Sequence, residues 1–257
     1  MPLDTSIYAL SHLRLDGRRW NELRRIHAQI STQAAADGSS YLEMGNTKVI
    51  CTVSGPAEVR RGAAGGVQDE KAGIIVEVGI AGFSGIERKK RGRGDKRIAE
   101  MQATISSAFS STLFTHLYPR STITITISIL SQDGSLLAAC LNAATLALID
   151  AGIPMSDYIV SCTSGAIPSY SRTDPDKELV DPLLDLNGQE ELELPWLTVG
   201  TLGAGERISV CVMETKVRVE RLESMLAVGV DGCKQVREIL DAVVRRRGKR
   251  VLESVVR

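Results

Sequence analysis

Aromatic side chains are scarce in this 257-residue chain: two Trp, five Tyr and three Phe make up 4% of it. The core must therefore be built from Ala, Val, Ile and Leu, and few platforms exist on which nucleic-acid bases could stack. Net charge is lacking as well. The 31 basic residues are balanced by 31 acidic ones, so the overall basic excess of a free nucleic-acid binder is missing. The five cysteines (Cys51, Cys140, Cys162, Cys211, Cys233) are odd in number and contain no Cys-x-x-Cys pair. His12, His27 and His116 show no ligand spacing, so neither a disulfide framework nor a zinc site is expected. Each cysteine lies in an apolar stretch and is expected to be a buried thiol in a reducing compartment. No apolar run approaches the ~18 residues of a membrane span, and Met1-Pro2-Leu3-Asp4 does not begin a leader peptide. An intracellular chain able to bury a substantial core without staples is expected.

What is present is periodicity of both kinds. Ser40–Met44 and Lys48–Val53 are strand-like runs joined by Gly45-Asn46, the signature of a hairpin. The stretch from Gly55 to Gly73 is rich in glycine and carries Arg60-Arg61, which predicts a loop; strand character returns at Ile74–Val78. Apolar residues at Ile98, Met101, Ile105, Phe109 and Leu113 predict an amphipathic helix over 98–116, ended by Pro119. Thr122–Ile129 alternates β-branched residues strictly and is the clearest strand. Asp133-Gly134-Ser135 then announces a helix through Ile149, apolar almost all round and so expected between layers, with Ser135 as its N-cap. Strand-like runs follow at 158–167, 194–202 and 206–213, the last two as a hairpin. A final helix over about 221–247 ends in Arg245-Arg246-Arg247, a cluster suited to the negative pole of the helix dipole or to a subunit contact. Strands mixed with helices, without βαβα alternation, predict an α+β fold. No linker or repeat divides the chain, so 1–257 reads as a single domain, with an arm over 1–20 and a basic tail over 245–257.

Several segments together resemble the RNase PH family. They are Arg14-Leu15-Asp16-Gly17-Arg18-Arg19, Ala36-Asp37-Gly38-Ser39-Ser40 with Gly45-Asn46-Thr47-Lys48-Val49, and Ala147 through Met155 after the central helix. Within the family the segment Leu15–Arg25 is most similar to a ring subunit of the eukaryotic RNA exosome. The resemblance implies an RNase PH-like (ribosomal protein S5 domain 2-like) fold of mixed sheets packed on helices. It implies partners too: other RNase PH-like ring subunits, RNA-binding cap subunits, an attached hydrolytic ribonuclease and single-stranded RNA. Residence in the nucleus, including the nucleolus, and in the cytoplasm is implied, with no cofactor, metal or membrane.

Active members of that family degrade RNA from its 3′ end: inorganic phosphate attacks the last phosphodiester and a nucleoside diphosphate leaves. Both reactants are anionic, so such a site needs fixed cations, aligned N–H donors and an acid for the leaving oxygen. Active relatives hold phosphate with Gly-Ser/Thr-Arg at the start of the central helix; here the residues are Gly134-Ser135-Leu136, a vestigial phosphate site without its arginine and with Asp133 beside it. The family's catalytic acids follow a Glu-Glu-Asp stretch. In this chain Leu192 falls where the first Asp is expected, and Glu190 and Glu191 read as a solvated loop. A one-residue realignment would promote Glu191 or Glu193. The expectation is a non-catalytic subunit, with an active phosphate-dependent 3′-to-5′ exoribonuclease as the alternative.

A path for RNA needs less. Residues 88–97 hold seven basic side chains and one acidic, on a loop with two glycines. Such a cluster suits contacts to phosphates without sequence preference. The resemblance places Lys96 and Arg97 on the RNA path, with Arg91, Arg93, Arg60 and Arg61 as further contacts; a solvated face or a nuclear localisation signal is the competing reading of the same run.

Overall fold

The structure, a computed structural model, describes residues 12–58, 71–85, 88, 95–170, 178–203, 205 and 207–255. Among the described residues nine strands form two sheets. The first has the order β1-β2-β3-β5-β4 and the second β7-β6-β8-β9. The first sheet is built from β1 (Ile26–Ile30), β2 (Gly38–Met44), β3 (Thr47–Glu58), β4 (Gly73–Ile80) and β5 (Ser121–Ser131). The β2–β3 hairpin forms where Gly45 takes a positive φ. β4 runs parallel to β5, which requires a crossover. Helix α1 (Lys96–Thr112) supplies it, burying Ile105, Ala108, Phe109 and Thr112. It ends at Thr112 rather than 116, and a single 3-10 turn, Thr115–Leu117, precedes β5.

In β5 the alternation does what it predicts: Ile123, Ile125, Ile127 and Ile129 are all fully buried, each contributing ~1.5–3 kcal/mol by leaving water. Helix α2 (Leu136–Asp150) lies between the two sheets, with every residue from Ala138 to Leu148 buried. Its one amide side chain is fully paired. Asn142 donates from Nδ2 to the Ser161 carbonyl at 2.9 Å and accepts from the Ser161 N–H at 2.8 Å, which pins α2 to β6.

The second sheet comprises β6 (Ile159–Tyr170), β7 (Glu178–Leu184), β8 (Trp196–Leu202) and β9 (Arg207–Met213). Between β7 and β8 sits a short helix, α3 (Gly188–Glu193), in the stretch expected to be a solvated loop. Long helix α4 (Val219–Val255) packs Met225, Cys233, Val236 and Leu240 against this sheet. It continues well past 247, so Arg245–Arg247 are not at its terminus, and no basic residue stands in its last turn. Four cysteines are buried as expected, but Cys211 is exposed. β9 is an edge strand, and Cys211 falls on its outward phase.

Candidate functional site at the start of the central helix

The loop from β5 into α2 turns through two left-handed residues, Gly134 (φ 72°) and Ser135 (φ 52°). Glycine is required at 134: a Cβ there would stand 2.6 Å from the Leu186 carbonyl oxygen, so the loop before α3 could not close on it. Ser135 occupies the N-cap position but does not cap with its side chain. Its hydroxyl donates instead to Asp185 Oδ1 at 3.0 Å and to the Leu186 carbonyl at 3.1 Å. The left-handed backbone turns Oγ away from the helix's own N–H groups, which overturns the capping role expected for it.

The Ser135 N–H at the head of α2 is taken by another carboxylate of the chain: it donates to Glu191 Oε1 at 2.5 Å. Glu190 and Glu191 are therefore not a solvated loop. Asn187 caps α3 by accepting from Gln189 N and Glu190 N, while Glu190 Oε2 accepts from Asn187 N in a reciprocal capping box. That geometry turns Glu190 inward, Glu191 onto Ser135 and Leu192 out, 86% exposed. The residue facing the helix N-terminus is Glu191, one position from that expected; Glu193 is exposed.

Three arginines from the N-terminal segment hold this loop. Arg24 makes a two-pronged pair with fully buried Asp185, Nε to Oδ2 at 3.0 Å and Nη2 to Oδ1 at 2.8 Å. Its backbone N–H donates to Oδ2 at 2.9 Å, and Nη1 donates to the Asp133 carbonyl. Arg14 pairs with buried Glu190 and donates to the carbonyls of Leu184 and Asp185. Arg18 donates Nε to Asp16 and Nη1 to the carbonyls of Glu22 and Asp185, leaving Nη2 buried without a partner. Asp133 accepts from the Gly188 N–H and the Asn46 amide, each at 3.0 Å.

The cations around the head of α2 are thus already paired with carboxyl groups of the chain. Asp133, Asp185 and Glu191 converge there, and Arg24 is engaged by Asp185 through both faces of its fork. Burial pushes the Glu191 carboxyl up to about 7, with Asp185 and Asp133 adding to the rise; the Ser135 N–H and Arg24 oppose it. Burial would raise Asp185 too, but the charge and hydrogen bonds of Arg24 hold it below the ordinary carboxylate range. An incoming phosphate would meet three carboxyl groups and an N–H already bonded. Half-buried Leu136, next in the chain, offers no donor from its side chain.

Of the predicted RNA residues, Lys96 and Arg97 lie among the described residues. Asp95 caps α1 by accepting from Arg97 N at 3.1 Å, which leaves Lys96 and Arg97 exposed in the first turn. Arg97 is 85% exposed and makes a loose contact with Glu214 at 3.8 Å. Arg60, Arg61, Arg91 and Arg93 lie outside the described residues. No hydrogen bond or ion pair among the described residues joins Lys96 or Arg97 to Gly134 or Ser135. Arg14, Arg18 and Arg24 belong to the segments that carry the family resemblance, but the sequence assigns neither them nor Asp185 to this site. The Asn187-x-x-Glu190 spacing signals the α3 cap, but nothing local signals that arginines near the start will be buried against it.

The chain is 41% identical over 254 residues, 98% of each protein, to the exosome complex component SKI6 of Saccharomyces cerevisiae. It is 38% identical over 234 residues, 91% of each, to the exosome complex component RRP41 of Homo sapiens. Its fold matches rice (Oryza sativa) Rrp46 with a TM-score of 0.74 at 23% identity, covering 90% of this chain and 100% of that one. It also matches a chain of the Archaeoglobus fulgidus exosome solved with RNA bound to the active site, with a TM-score of 0.71 at 20% identity over 90% of this chain and 96% of that one. Residues 22–154 match the family described as 3′ exoribonuclease family, domain 1, and the chain belongs to that RNase PH family.

Proposed function

We propose that this chain is a ring subunit of an RNA exosome that does not itself carry out phosphorolysis, and that it serves as scaffold and as part of the surface guiding single-stranded RNA. Near-full-length identity to exosome complex components supports the placement. With it come the partners: other RNase PH-like subunits, RNA-binding caps, an attached hydrolytic ribonuclease and RNA, in nucleus, nucleolus and cytoplasm. One observation carries the inert assignment. The head of α2, where phosphate would be held, is occupied by the chain's own Glu191, and the guanidinium beside it is neutralised by Asp185. Two anions are not brought together by a site whose cations are already engaged by its own carboxylates. Guiding a polyanion asks only for scattered cations such as Lys96 and Arg97.

A specific observation favours the second reading, an active phosphorolytic exoribonuclease. A carboxyl held at about 7 is part-protonated near neutrality, the state suited to protonating a leaving 3′ oxygen. Phosphorolysis by the ring, reconstituted without the attached hydrolase, separates the two. The proposal expects no nucleoside diphosphate from RNA and inorganic phosphate. Release that disappears in Glu191→Gln would establish the second reading. The guiding role is tested by Lys96→Glu with Arg97→Glu, which should slow degradation by the complete complex while leaving assembly intact; undiminished degradation would remove it.

A further inference from the structure

The basic residues at the end of α4 lose their simplest explanation in the structure. Cations at a helix C-terminus are stabilised by the dipole only within about the last turn. Arg245, Arg246 and Arg247 lie eight to ten residues before Val255, and the last turn carries no basic side chain. Burial does not account for them either: Arg245, Arg246, Lys249 and Arg250 are all exposed.

Nearby acids meet part of the cluster. From Asp241 to Glu253 there are five cations (Arg245, Arg246, Arg247, Lys249, Arg250) and two carboxylates, and Asp150, Glu238 and Asp157 from the surroundings lie beside Arg247, Arg246 and Arg245. Arg247 turns back toward the body, 3.8 Å from Asp150 and donating to Ser31 Oγ at 3.1 Å. Arg246 shares a groove between α4 and β1 with His27 and Glu238, and Arg245 lies beside Asp157 and Asp241. Among the described residues Arg246, Lys249 and Arg250 make no ion pair. At roughly 100° per residue, Arg245, Lys249, Arg246 and Arg250 fall within about 140° of the helix circumference, one continuous face. Val251 falls on the other side, while Leu252 borders Arg245 and Glu253 lies within the same arc.

We propose that this face of α4 is a second contact for single-stranded RNA, binding its phosphates without regard to sequence and separately from Lys96 and Arg97. A linear array of cations on a rigid helix matches a phosphate backbone rather than base edges. The inference rests on the RNA-guiding role proposed above. It adds a surface on a different helix from the α1 turn.

The test uses the full chain and the assembled ring, with a fluorescein-labelled oligouridylate followed by anisotropy across a salt series. Three variants are compared: Arg246→Glu/Lys249→Glu/Arg250→Glu, the matching triple glutamine variant, and Lys96→Glu/Arg97→Glu. Loss of three phosphate contacts should lower the slope of log affinity against log salt by ~2, at about 0.7 per contact for single strands. The glutamine variant should show most of that loss with unchanged helical circular dichroism. An unchanged slope in both α4 variants, with a lowered slope in the α1 variant, would overturn this contact and leave the guiding role standing. Unchanged slopes in all three would remove both. Impaired ring assembly with RNA binding intact would assign the face to an acidic protein neighbour and equally overturn the proposal.

Discussion

Arginine is used in two ways in this chain, and the contrast is sharpest between the junction of the N-terminal segment with the Asp185–Glu191 loop and the exposed turns at the start of α1 and the end of α4. At the junction, Arg14 and Arg24 are buried, and each meets a carboxylate through its fork and a carbonyl with what remains. At the exposed turns, Arg97, Arg246 and Arg250 stand in solvent with one loose contact between them. In the first region the charge is consumed in holding the fold; in the second it remains available to a ligand. The head of α2 lies in the first region, where the arginines are already engaged by the chain's own carboxylates.

The largest effect should follow from breaking the buried side of the comparison. Asp185→Ala leaves Arg24 charged and unpaired in the interior and removes the acceptor of the Ser135 hydroxyl, a loss of ~3–5 kcal/mol; urea unfolding of the full chain measures it. Arg14→Met should cost a similar ~3–5 kcal/mol by stranding Glu190. Adding Glu190→Leu should recover part of that loss, since the stranded charge is then gone, though the Leu184 and Asp185 carbonyls still lack their donor. A double variant no more stable than Arg14→Met would show that the carbonyl contacts, not the ion pair, matter at this junction.

Glu191→Gln should have a smaller effect that depends on pH. The unfolded carboxyl titrates near its ordinary 4.5 and the native one near 7, so the native chain holds more protons between these values. Stability contributed by this group therefore falls as pH rises from about 4.5 to 7 and is level on either side. Because the side chain is partly exposed, the total is expected to be only ~1–2 kcal/mol. The variant's advantage over wild type should grow through that window and then plateau; a difference independent of pH would contradict the placement of Glu191. The smallest effect on folding belongs to the exposed side. Lys96→Glu with Arg97→Glu should change stability by less than ~0.5 kcal/mol, however much it weakens RNA contact.

How far the sequence could be read follows the same division between local and distant. The isoleucines of β5, the apolar wrap of α2 and the stripe of α1 are periodic over ten or more residues, and their elements lie within a few residues of the expected bounds. β1 escaped notice because Ile26–Ile30 is only five residues long and alternates intermediate with exposed positions. β7 is an edge strand that carries Pro182, a residue that argues against a strand in the absence of other information. At the site, Gly134 and Ser135 could be located from their own neighbours. Their partners could not: Arg24 and Asp185 are 161 residues apart, and no local pattern shows that two such charges will be buried together. The inward turn of Glu191 depends on the Asn187 capping box, which fixes the phase of α3 and displaces the expected position by one residue.

The most direct test of this account is the Ser135 amide, followed by nuclear magnetic resonance in the full chain as inorganic phosphate is added. With Glu191 on that N–H, its resonance should stay in place through the titration and should move with pH as the Glu191 carboxyl titrates near 7. A saturable shift with phosphate, accompanied by a lowered Glu191 titration or its displacement from Ser135, would show that the head of α2 still receives an anion and would contradict the inert assignment.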